Sequence, residues 1–194
     1  MAQYSLEALL DAQAKVLKLV ASGQPIGICL DTICREIENL LSDNGVSSSI
    51  LILKDRCLYH GAAPSLPSDY CEAINGAPIG ENAGSCGTAA YLARPVYVED
   101  IENSREWQDY AELALSLGLK ACWSTPIISS KNAVLGTFAI YYDHVKKPEK
   151  HHLELIEFFQ SLCSLSIEKD QMLQREVQLN QSLQTSVNKM QAFG

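Results

Sequence analysis

Two cysteines stand where a thiol can do chemistry. Cys86 lies in Gly84-Ser85-Cys86-Gly87-Thr88, a run of small residues that opens a helix-forming stretch, and Cys122 lies in Ala121-Cys122-Trp123-Ser124-Thr125-Pro126. A helix start leaves N–H groups without partners and carries the positive end of the helix dipole, so a thiolate or a bound anion is stabilised there. Cys86 is therefore either a reactive thiol in a loop that cradles an anion, or a small buried hydrophobe behind a Ser85 helix cap. On either reading Ser85, Cys86 and Thr88 border a pocket. Trp107 and Trp123 are the two tryptophans, and Tyr110 follows the first at helical spacing. Such aromatics stack on a flat ligand or fill volume. Strand alternation puts Cys122 and Trp123 on opposite faces without saying which is inner. The candidate ligand-binding set is thus Ser85, Cys86, Thr88, Trp107, Tyr110 and Trp123. Asp100, which ends a short strand, reads as the cap of the next turn.

Other chemistry finds little support. The seven cysteines are odd in number, irregularly placed and without a C-x-x-C pair, which describes reduced thiols rather than a disulfide framework. His60, His144, His151 and His152 show no zinc spacing, so no metal is expected, and no cofactor can be named. The His151-His152 pair reads as the polar opening of the last helix. There is no Gly-x-Ser-x-Gly, no P-loop and no His-Glu-x-x-His, so no catalytic residue is assigned and the chain reads as a non-enzyme.

Lys+Arg 15 against Asp+Glu 23 leaves a formal net charge of -8 over 194 residues, which disfavours nucleic acid as a partner. With 47% hydrophobic and 20% charged residues the chain can bury one sizeable core. Its longest apolar runs fall well short of the roughly 20 residues that a bilayer requires, and residues 1–7 lack the pattern of a signal peptide. The expected location is cytoplasmic, with no membrane contact.

The elements that must position these residues follow from hydrophobic period. Residues 3–21 place Leu6, Leu9, Leu10, Val16, Leu17 and Val20 at helical spacing, and a second amphipathic helix spans 28–41 up to Ser42-Asp43-Asn44-Gly45. Residues 48–54 and 57–62 read as a hairpin across Asp55-Arg56, and 64–84 as a long loop with a short helix at 68–74. A helix from Ser85, a strand at 95–98, a helix over 105–117 capped by Gly118, and strands at 121–129 and 133–142 complete an α+β domain around an antiparallel sheet. A last helix runs from Pro148 to the chain end. Its sevenfold sets are Phe159, Ser166, Leu173, Asn180, Val187 and Leu155, Leu162, Lys169, Glu176, Leu183, Met190. An Asn at such a seam sets register in parallel two-stranded coiled coils. A homodimer through Leu155, Leu162, Leu173, Asn180, Leu183 and Val187 is expected, the alternative being a solvated tail.

Three segments together resemble the GAF family of small-molecule sensor domains. They are residues 84–90; Val96-Tyr97-Val98-Glu99-Asp100-Ile101 with Trp107; and Gly118 to Ile127 leading into Val134-Leu135-Gly136-Thr137-Phe138-Ala139-Ile140-Tyr141. The resemblance covers roughly residues 25–168 and is to the variant found ahead of cyclic-di-GMP enzymes and histidine kinases. It implies a GAF-like antiparallel sheet of five or six strands, with terminal helices on one face and a ligand pocket under loops and short helices on the other. Residues 1–24 then form a dimer or signalling helix, 25–168 the sensor, and 169–194 a coiled-coil-like linker helix to an effector. The chain is either a fragment of a longer signalling protein or a stand-alone sensor. The ligand does not travel with the family. A Cys-His pair for bilin attachment and the Asn-Lys-X-Phe-Asp-Glu motif of nucleotide-binding members are both missing. An alternative is the branch of free methionine-R-sulfoxide reductases, whose Cys-Gly motif Cys86 matches and whose later cysteine falls near Cys122. Here Gly76 stands where that branch has a further Cys, and Trp123-Ser124-Thr125 replaces its acidic partners. A ligand-free dimerisation module is the third reading.

Overall fold

A computed structural model describes residues 4–192. Helix α1 (Leu6–Ala21) starts where the Ser5 hydroxyl accepts from the Ala8 N–H at 3.1 Å, and α2 (Ile26–Leu41) ends at Ser42 in the left-handed conformation. Strands β1 (Val46–Lys54) and β2 (Cys57–Ala62) form the expected hairpin. Asp55 and Arg56 both take positive φ, the two-residue turn whose twist matches that of paired strands. Then come α3 (Ser68–Ile74), the two-residue strand β3 (Ala77–Pro78), α4 (Gly84–Leu92) and β4 (Val96–Val98). The expected helix over 105–117 is two pieces: a 3-10 turn, Arg105–Trp107, and α5 (Ala111–Ser116). Leu117 is the cap of α5, and Gly118, with φ of 81°, is the residue just beyond it. The chain then runs through β5 (Ala121–Ile128), β6 (Val134–Tyr142) and α6 (Lys150–Ala192).

The six strands make one antiparallel sheet in the order β3-β2-β1-β6-β5-β4. The expected fold class is present in full, and β3 is a strand within residues 64–84, where turn-forming residues predict a loop. At Gly136 the central pair approaches so closely that a Cβ would stand 2.0 Å from the Leu51 carbonyl oxygen, and only glycine fits.

Both faces of the sheet are covered, which is why β6 is buried along nearly its whole length and not on alternate residues. On one face, Ile33 and Ile37 of α2, Val16 of α1, and Phe159 and Cys163 of α6 pack on Ile50, Phe138, Ile140 and Trp123. On the other, α3, α4 and the 3-10 turn cover Leu51, Cys122, Ala139 and Tyr141. This layering corrects part of the expected dimer seam. Leu155 and Leu162 are buried in their own domain's core and are not free to pair with a second chain. Beyond Asp170 the helix leaves the domain, and every residue from Gln171 to Ala192 is exposed, Leu173, Asn180, Leu183 and Val187 included. Among the described residues, no helix is long and apolar enough to cross a membrane.

Candidate functional site

A pocket of about 30 Å³ lies between the sheet and the α3–α4 layer, walled by Leu51, Leu58, Tyr70, Cys86, Trp107 and Tyr141, with Ser85 and Tyr110 alongside. That is about the share of one water molecule in the liquid. Helix α4 brings Ser85 and Cys86 there because Ala83 is its N-cap and Gly84 its first residue. Ser85 is thus inside the helix and does not cap it. Its hydroxyl accepts from Trp107 Nε1 at 2.9 Å and donates to the Cys122 carbonyl at 2.9 Å, tying the 3-10 turn and α4 to β5.

The Cys86 thiol lies 3.7 Å from the Tyr141 hydroxyl, which lies 3.2 Å from that of Tyr70; the two rings meet edge to face. Contact with the Cys122 thiol and with the hydroxyl side of Ser124, Tyr141 and Thr137 draws the Cys86 thiol below its ordinary value, against burial, which would raise it. Burial pushes the Cys122 thiol and the Tyr70 and Tyr141 phenols well up, so these three stay protonated at neutral pH. The wall therefore carries one thiol of enhanced acidity among neutral groups. All seven cysteines are free.

Four of the six candidate residues, Ser85, Cys86, Trp107 and Tyr110, come together at this pocket. Thr88 does not line it: its hydroxyl accepts from the Ala83 N–H and donates to the Glu81 carbonyl, pinning the loop before α4. Trp123 is on the opposite face, where Nε1 donates to the Lys146 carbonyl at 3.0 Å and the ring packs on Tyr142 and His152. Alternation had set Cys122 and Trp123 apart; the inner face is that of Cys122. Asp100 caps its turn by accepting from the Glu102 N–H and from Asn103 Nδ2. Tyr70 and Tyr141 are wall residues without a motif to announce them.

A second polar group was also missed. His152 is 1% exposed, not part of a solvated helix start. Its Nδ1 accepts from the Glu149 N–H at 2.8 Å, and its Nε2 is 3.6 Å from Asp43 Oδ2, which also meets Lys146 Nζ at 2.8 Å and accepts from the Tyr142 hydroxyl at 2.9 Å. Burial, then the His151 ring and the Lys146 ammonium, hold the His152 imidazole below its ordinary value, with Asp43 opposing them. Burial works to raise the Asp43 carboxyl, but the Lys146 and Tyr142 hydrogen bonds outweigh it and bring it down. Among the described residues, no group of three or more His, Cys, Asp or Glu is arranged to hold a metal ion.

Comparison with known proteins places this geometry. The chain is 35% identical over 164 residues to the methyl sulfide methyltransferase-associated sensor of Methanosarcina acetivorans, a match over 84% of this chain that spans 16% of the length of that relative. Among solved structures it is similar to free methionine-R-sulfoxide reductase from Neisseria meningitidis in complex with its substrate (13% identity, 89% of this chain and 99% of that one, TM-score 0.67). It is also similar to the GAF domain of a phosphoenolpyruvate-protein phosphotransferase from Coxiella burnetii (14% identity, 88% and 96%, TM-score 0.66). At such identities these two speak for the fold alone. Residues 23–168 match the GAF domain family, and on that match, over a six-stranded sheet with a walled pocket on one face and helices on the other, the chain belongs to the GAF family.

Proposed function

We propose that this chain is the ligand-sensing part of a signalling protein: a small molecule enters the pocket at Cys86 and Tyr141, and α6, paired with a second copy, carries the change to an effector. One observation carries this reading. Adjacent residues of β6 face the two sides, Tyr141 into the pocket wall and Tyr142 onto Asp43, which holds Lys146 just ahead of α6. A shift of β6 that accommodates a ligand therefore acts on the start of the output helix, and the ligand moves the equilibrium by its differential affinity for the two arrangements. The sensor named among the relatives supports the same reading.

With Leu155 and Leu162 committed to the core, the pairing seam is Leu173, Asn180, Leu183 and Val187, and α1 serves as an adjoining helix through the exposed Leu6, Leu10 and Leu17. Native mass spectrometry of the purified chain, with its absorption spectrum, tests both parts. The expected result is the mass of two chains plus a bound small molecule. A bare mass overturns the pocket part if added small molecules also leave the pocket untouched, and a monomer overturns the pairing.

A second reading is thiol chemistry, favoured by the contact between the Cys86 and Cys122 side chains. Thiol-dependent consumption of free methionine sulfoxide tests it, and the sensor reading expects none.

A further inference from the structure

We infer that the start of α6 is a proton-operated latch: the neutral His152 ring caps the helix, and a proton on its Nδ1 releases the first turn. The device needs nothing in the pocket, so it goes beyond the ligand reading above and gives the same helix a second input.

The latch is built on Glu149-Lys150-His151-His152. The Glu149 carbonyl accepts from the His152 N–H at 3.0 Å and from the Leu153 N–H at 3.2 Å, so Glu149 is the N-cap of α6 and His152 its third helical residue. In a capping box the side chain at that third position reaches back to the N-cap N–H, and it is normally Glu or Gln. Here imidazole Nδ1 takes the place, 2.8 Å from the Glu149 nitrogen. A ring nitrogen that accepts an N–H bears no proton, so the neutral ring carries its proton on Nε2. The nitrogen left to be protonated is therefore the one that caps the helix. A proton there sets two donors against each other and puts a positive charge where the helix dipole is already positive. With His152 1% exposed, the ring cannot turn out to solvent unless the turn opens.

The surroundings of the ring pull in two directions. Against its charged form stand burial, the His151 ring at 3.8 Å between centroids, and the Lys146 ammonium. In its favour stands Asp43, whose Oδ2 lies 3.6 Å from Nε2, just beyond hydrogen-bond reach. Nε2 is accordingly buried without a hydrogen-bond partner among the described residues. From β6, Tyr142 donates to the same Asp43 oxygen and stacks on His144; from β5, Trp123 packs on the His152 ring itself. The Glu149 carboxylate lies 3.7 Å from His151 Nδ1. A charged His152 thus exchanges the Glu149 N–H for the Asp43 carboxylate, which already holds Lys146 ahead of α6. One proton loosens both ties of the helix start. It does so below the ordinary imidazole value of about 6.5, because burial, His151 and Lys146 outweigh Asp43.

The test is an NMR titration of the full chain from about pH 7.5 to about pH 5, which spans the range in which an imidazole gains its proton. It follows the His152 ring nitrogens, the Glu149 amide and the two indole N–H signals. Trp123 packs on His152 and donates to the Lys146 carbonyl, whereas Trp107 lies on the other face and serves as the control. The Glu149 amide and Trp123 signals are expected to move with the midpoint of the His152 ring while Trp107 stays. Across that midpoint the exchange protection of the Glu149 amide is expected to fall at least tenfold. In His152→Gln the side-chain carbonyl closes the box without a titrating group, and the Glu149 amide should keep its protection over the whole range. A Glu149 amide that stays protected while wild-type His152 gains its proton overturns the latch. So does a His152 ring that remains neutral down to about pH 5. A loss of protection that persists in His152→Gln places the proton on another group and overturns it equally. The wild-type titration decides by itself if the variant does not fold, and the ligand reading keeps its own test in the mass measurement above.

Discussion

Ser85 joins three elements through one hydroxyl, and the Trp107 N–H and the Cys122 carbonyl that it serves are both buried. Ser85→Ala removes no volume that packing needs but leaves two polar groups without this partner. We expect it to lower unfolding stability by about 1–3 kcal/mol, the cost of orphaned buried groups, measured as a shift of the denaturant midpoint at constant slope. The motif around Cys86 was legible because its small residues and place in the first turn of a helix leave few conformations open. Tyr141 was not, because β6 is buried on both faces and alternation sorts its residues into two sets without saying which set faces the pocket. Trp123 was misplaced for the same reason. Large aromatics beside a pocket motif suggest a ligand, yet this one fills the helix-side core.

At the scale of elements, the junction of α2, β6 and α6 turns on Asp43, Lys146 and His152. Both titrating members are held below their ordinary values, so the sign of their effect on stability is shared. A group with a lowered folded value binds fewer protons in the native state than in the unfolded one. Its contribution is full above the unfolded value and is lost as pH falls through the folded one. For His152 that loss sets in below about pH 6.5, and for Asp43 below about pH 4. We expect the urea midpoint of the wild type to fall between pH 7.5 and 5.5, and His152→Gln to flatten that fall while sparing the lower-pH loss from Asp43. Equal slopes for the two proteins would place the pH dependence elsewhere. This junction was invisible in the sequence because Asp43 sits in a turn signal and His152 follows a run of lysines, both patterns of solvated surface. The period reading failed more mildly over residues 105–117, where the apolar spacing is helical throughout but Gln108–Tyr110 breaks the backbone into a 3-10 turn and a short helix.

The molecule as a whole is a domain with a rod attached. From Gln171 to Ala192 the helix stands clear of the domain for about 33 Å, at 1.5 Å per residue. Gln, Leu and Met give the segment fair helix propensity, yet an isolated helix of this length is only marginally stable in water. Leu173, Leu183 and Val187 lie exposed along it at seam spacing, with Asn180 between them. The sevenfold pattern in the sequence therefore described two different burials: its first half faces the domain's own sheet, and its second half has no partner within the chain. Periodicity registers an apolar stripe and is blind to what covers it, so the two halves looked like one seam. Only the second half is free to carry the proposed pairing, which makes a triple substitution there decisive. Leu173→Ser, Leu183→Ser and Val187→Ser together remove no buried side chain, so the domain's unfolding transition should stay within about 0.5 kcal/mol of wild type, as for exposed sites. The mass in solution, measured by light scattering across a concentration series, is expected to drop from two chains to one, with a loss of helical ellipticity as the unpaired rod frays. A mass that stays at two chains would show that the copies pair elsewhere, through α1 and the exposed edge of the domain, and the rod would then be a spacer and not the seam.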